Sequence, residues 1–194
     1  MKLSGRIFEV QELLGRLHEG NSSQAERELL EIAVRGLDFI LGNGQVDDFE
    51  DYIQDTAGDV PSWIVAVFAT RAEAEVWLNA SPHPRNLACV LIADEYHVVL
   101  SDPESGRRYL VREPSLEVHI EELMHNGPPL AVASFSTREE AQEWFNRQTD
   151  PPVQSVVQIG GEPHLAVYYR NIPYRTFFPF SVVKRLEKIR SAGK

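Results

Sequence analysis

The 194-residue chain has a single cysteine, Cys89, so no internal disulfide can form and no thiolate pair exists to hold zinc. Its six histidines, at positions 18, 83, 97, 119, 125 and 164, fit neither the H-x-x-x-H nor the H-E-x-x-H spacing of a metal-binding helix. There is no G-x-S-x-G nucleophile elbow and no G-x-x-x-x-G-K-[ST] phosphate loop. No apolar run approaches the roughly 20 residues of a membrane helix, and the first ten residues lack the apolar segment of a signal peptide. A cytoplasmic protein without cofactor or metal is the expectation. Positive charge is also scarce, with 19 Lys and Arg against 29 Asp and Glu. Phosphate would be repelled by most of such a surface, whereas a basic protein would be steered towards it.

The charge is unevenly spread. Residues 1–62 hold thirteen acidic side chains against five basic ones, whereas residues 130–194 hold nine basic against six acidic. What the chain has in full is apolar patterning, with 43% hydrophobic residues and 25% charged, the composition of a packed globular protein.

One stretch is written twice. Phe68, Thr70, Arg71, Glu73, Ala74, Trp77 and Asn79 return 67 residues later as Phe135, Thr137, Arg138, Glu140, Ala141, Trp144 and Asn146. The register continues without a gap, placing Glu95 on Glu162, His97 on His164 and Arg108 on Arg175. Thr-x-x-Glu is a capping box, in which hydroxyl and carboxylate satisfy free N–H groups at a helix start. Ala and Trp at spacings of three and four then form an inward face. The motif is therefore read as packing, not chemistry.

Periodicity places helices over 4–19, from Ser23 to about 41, over 46–56 and over 115–126. In the second, Ala25, Leu29, Ile32, Ala33, Gly36, Phe39 and Ile40 read as the buried stripe; in the first, Leu3, Ile7, Val10, Leu14 and Leu17 do. Strands are expected at 63–68, 87–93, 96–101 and 108–112, and again at 153–159, 164–170 and 174–179. Pro82-His83-Pro84 and Asp150-Pro-Pro152 break the two repeat helices, and 182–189 reads as a closing basic helix. The fold class is α+β: a helical segment, 1–61, followed by two β-α-β-β-β-α repeats, 62–128 and 129–194, with antiparallel sheets.

Three functional readings follow. In the first, the 46–56 helix shows Asp47, Asp48, Glu50, Asp51 and Asp55 on one side, with Tyr52 as an aromatic anchor, and this face docks on a basic protein. These acids do not form a calcium loop, because Phe49 and Tyr52 interrupt them and no central glycine is present. In the second, His97, His164, Arg108 and Arg175 line a ligand pocket between the repeats; against it, each histidine can simply bond locally, for instance to Glu95 or Glu162. In the third, the basic end, Lys184 to Lys194, binds nucleic acid. Cys89 aligns with Val156 and reads as a small packing residue.

The F-x-T-R-x-E-A-x-x-W pattern resembles helix starts of many small bacterial proteins. The compact, acidic profile without enzyme motifs is similar to that of immunity proteins of bacterial polymorphic toxin systems. That resemblance implies a non-catalytic inhibitor of a protein toxin and assigns no residue a role.

Overall fold

The computed structural model describes residues 3–58, 60–80, 86–125, 127 and 129–186. The chain divides into two compact units, Met1–Ala57 and Gly58–Lys194.

The first unit holds α1 (Leu3–Gly20), α2 (Gln24–Gly42) and α3 (Val46–Asp55). Ser23 caps α2 as its sequence foretells, its hydroxyl accepting from the Glu26 N–H at 3.4 Å. Gly44, at φ 67°, turns the chain into α3. The helices α1 and α2 run antiparallel. Gln11 Nε2 donates to Asp38 Oδ1 at 2.7 Å, and His18 Nε2 lies 3.4 Å from Glu31 Oε1. The expected stripes need correction. On α2 the half-buried apolar residues are Leu30, Val34, Leu37, Ile40 and Leu41, whereas Ala25, Leu29, Ile32, Ala33, Gly36 and Phe39 are exposed. On α1, Ile7 is buried, but Val10 and Leu17 are exposed. The physical reason is that α2 carries two apolar seams, and helical periodicity alone does not say which one its neighbours cover.

The second unit opens with β1 (Ile64–Phe68), α4 (Arg71–Ala80), β2 (Cys89–Ile92), β3 (Glu95–Ser101), β4 (Arg108–Arg112) and α5 (Ser115–His125). It continues with β5 (Ala133–Phe135), α6 (Arg138–Asn146), β6 (Gln154–Ile159), β7 (Glu162–Tyr169) and β8 (Tyr174–Pro179), then a 3₁₀ turn, Phe180–Val183. The two sheets have orders β1-β2-β3-β4 and β5-β6-β7-β8. Antiparallel pairing holds for β2–β3–β4 and β6–β7–β8, but β1–β2 and β5–β6 are parallel. A helix lies between the strands of each parallel pair, and such a crossover returns the chain in the same direction. The Pro82-His83-Pro84 break and residues 187–189 of the expected closing helix lie outside the described residues; the start of that segment belongs to the 3₁₀ turn Phe180–Val183.

Alternation sorts each strand into two faces. Tyr96 on β3 and Leu165, Val167 and Tyr169 on β7 join Ile64, Leu91, Phe178 and α5's Leu116 and Ile120 in one core between the sheets. Val90, Val99 and Leu110 face the other way and pack under Ala74 and Leu78 of α4. Val157, Ala166 and Phe177 do the same under Ala141 and Phe145 of α6. Thus α4 covers the outer face of the first sheet and α6 that of the second, while α5 contributes to the core the two sheets share. Because the sheets share a core, residues 62–128 and 129–194 form one compact unit and not two. At the centre the Tyr96 and Tyr169 hydroxyls hydrogen-bond to each other, both rings being buried.

Candidate functional site

The repeated motif is explained residue by residue. Thr70 Oγ1 accepts from the Glu73 N–H at 3.3 Å, and Glu73 Oε2 accepts from the Thr70 N–H at 3.3 Å. Thr137 Oγ1 accepts from the Glu140 N–H at 3.2 Å, while Glu140 Oε2 takes the Ser136 N–H at 2.9 Å. Trp77 lies against Phe68 with ring centroids 5.4 Å apart and planes at 48°; Trp144 lies against Phe135 at 5.3 Å and 47°. Arg71 spans to the Leu110 carbonyl at 3.1 Å, and Arg138 to Thr176 Oγ1 at 3.5 Å. Each arginine ties the start of its helix to the edge strand of its sheet. All of these contacts serve packing.

The four residues expected to share a ligand patch do not converge. His97 and His164 sit on the helix-facing sides of their sheets, beside Val99 and Ala166, and these sides point away from the shared core. Each is satisfied locally: His97 Nδ1 donates to the Glu95 carbonyl at 3.1 Å and His164 Nδ1 to the Glu162 carbonyl at 2.9 Å. The local partner is the backbone oxygen, not the carboxylate. Arg108 donates to the Leu78 carbonyl at 2.9 Å in the last turn of α4, and Arg175 to the Gln148 carbonyl at 3.1 Å just beyond α6. Cations there complement the helix dipole. Arg175 also lies 4.3 Å from the centroid of the Tyr168 ring.

Elsewhere in this unit, polar groups serve as ties. Arg112 pairs with buried Glu117 and with Glu95, which Arg185 reaches at 2.6 Å. Asp94 accepts from Thr176 Oγ1 at 3.3 Å and so joins the β2–β3 turn to the second sheet. Burial, then the nearby Glu113 carboxylate, raises the Cys89 thiol above its ordinary pKa, which disfavours the nucleophilic thiolate. Among the described residues, no group of three or more His, Cys, Asp or Glu side chains is placed to hold a metal ion. No helix among them is long and apolar enough to cross a membrane.

On α3 the acids separate. Asp47, Asp48 and Asp51 are exposed, while Glu50 is half-buried. Asp55 is 6% exposed and leaves the docking face assigned to it. It stands one turn after Asp51 in sequence, but tertiary packing covers it. Tyr52 remains 43% exposed and stacks on Phe49 with centroids 6.4 Å apart, which holds the ring beside the acids. The basic end falls largely outside the described residues; of its cations Lys184 and Arg185 are described. Two features carry no signal in the sequence: the exposure of the α2 seam at Leu29, Ile32 and Phe39, and the Tyr96–Tyr169 contact.

No protein-family model matches the chain, and neither a curated protein nor a solved structure matches it.

Proposed function

We propose that the chain is a non-catalytic protein-binding module that neutralises or restrains a basic protein partner in the cytoplasm, in the manner of an immunity protein. On this reading its α/β unit is a doubled β-α-β-β-β element, closed by α5 in the first copy and by the 3₁₀ turn in the second, and the 67-residue sequence match and the like strand orders of the two sheets support it. The copied motif is spent on packing. Recognition then falls to the helical unit. The observation that carries this reading is the α3 surface, where exposed Asp47, Asp48 and Asp51 stand beside half-open Tyr52. Acids steer a basic partner and set register, and the aromatic ring supplies contact area at low entropic cost.

The test is affinity against salt for a basic protein captured from the native host by the full chain. Three exposed charge pairs at roughly 0.5 kcal/mol each amount to about a tenfold loss when Asp47→Asn, Asp48→Asn and Asp51→Asn are combined. Raised salt should weaken the wild type more than the triple variant. Equal salt dependence in the two proteins contradicts the reading.

A further inference from the structure

The exposed seam of α2 has a spacing that its own unit does not use. Ala25, Leu29, Ile32, Gly36 and Phe39 follow at intervals of four, three, four and three residues, the heptad spacing by which one helix packs along another. Leu29 and Ile32 are each 66% exposed and Phe39 is 61% exposed. A Cβ placed on Gly36 would meet nothing within 4 Å, so the face is open to close approach. The other seam of α2, with Leu30, Val34, Leu37 and Leu41, is half-buried, and beside it the Gln11–Asp38 and His18–Glu31 contacts tie α2 to α1. Exposed apolar side chains that line up along one helix face are the pattern of an interaction surface.

The flanks indicate what covers it. Glu28 and Arg35 stand on either side of the Leu29–Ile32 pair, both exposed. Arg35 keeps 80% of its side chain in solvent and reaches Glu31 only at 3.9 Å. A seam with an acid near one end and a base near the other is complementary to itself when reversed.

We propose that α2 packs antiparallel against α2 of a second copy of this chain. A two-fold axis beside residues 30 and 31 sets Leu29 against Ile32 of the other copy and Ala25 against Gly36. It also brings Glu28 of each copy to the side of Arg35 of the other. The contact is isologous and therefore closes as a dimer. Leu17 of α1, 51% exposed, borders Leu29 across a depression of about 350 Å³ and widens the apolar surface. A basic partner fits this seam less well, because its centre is uncharged and its flanks carry both signs. The dimer and the α3 reading rest on different helices, so either can fail alone.

Sedimentation velocity of the full chain over a concentration series tests the pairing. The wild type should sediment as a dimer. Ile32→Glu places two charges in the seam and should raise the dissociation constant by ~100-fold or more, with helical circular dichroism unchanged. Glu28→Arg and Arg35→Glu should each weaken the dimer, and the two together should restore it. That restoration involves no apolar substitution and stays readable even if Ile32→Glu disturbs the helix. A wild-type monomer at every concentration overturns the proposal. So does a dimer that survives Ile32→Glu, a double reversal no better than the single ones, or a wild-type monomer whose seam is covered by a different protein.

Discussion

Replacing Tyr96 and Tyr169 by phenylalanine, singly and together, probes the layer that joins the two sheets. The hydroxyls bond to each other, and the rings are 1% and 6% exposed. Removing one leaves the other buried without that partner, which costs about 1–3 kcal/mol. Removing both takes away the unmet need along with the bond, and the rings keep their apolar contacts, so the double variant should lie within ~1 kcal/mol of wild type. The cycle therefore predicts strong non-additivity. Urea unfolding followed by tryptophan emission is the assay, because Trp63, Trp77 and Trp144 all lie in Gly58–Lys194. A double variant whose loss equals the sum of the single losses refutes the reasoning. The same pair gives a pH dependence. Burial first raises both phenols above their ordinary 10.0, so the folded state resists an ionisation that the unfolded chain allows. The stability involved is whole below about pH 10 and is lost as pH rises above it. The double phenylalanine variant, lacking both phenols, should lose less stability there.

Two further substitutions test the helix and turn packing. Ala141→Leu forces a larger side chain between α6 and its sheet, where Ala141 is fully buried beside Phe145, Val157 and Phe177; unfolding free energy should fall by about 1–3 kcal/mol or the layer should shift. Ala93→Gly relieves a left-handed residue at φ 49° in the β2–β3 turn, whose counterpart is Gly160 at φ 59°; a gain of roughly 1 kcal/mol in urea unfolding is expected, and a loss counts against the strain.

The sequence made local events legible. Thr70, Thr137 and Ser23 announce their helices because a cap is a contact between residues three apart. The 67-residue match made the second sheet legible from the first. What escaped depends on which surface meets which. Period two puts His97 and Val99 on one face of β3, but it does not tell whether a helix or a second sheet covers that face. Asp55 follows Asp51 by one turn and looks equally exposed until the fold buries it. The two seams of α2 both obey helical spacing, and the engaged one is set by α1. The parallel β1–β2 pair was legible in principle, since a helix joins its strands. The Tyr96–Tyr169 contact was not, because in the 67-residue register Tyr96 falls on Pro163 and Tyr169 on Asp102.

Under the proposed function, the α/β unit serves as scaffold and α3 meets the partner. Hydrogen exchange of the full chain, free and bound to the protein it captures from its host, tests this directly. Binding should slow exchange over Val46–Asp55 and leave the strand amides of β3 and β7 as they are in the free chain. Slowed exchange centred on the His97 and His164 strands, with α3 unchanged, would contradict it.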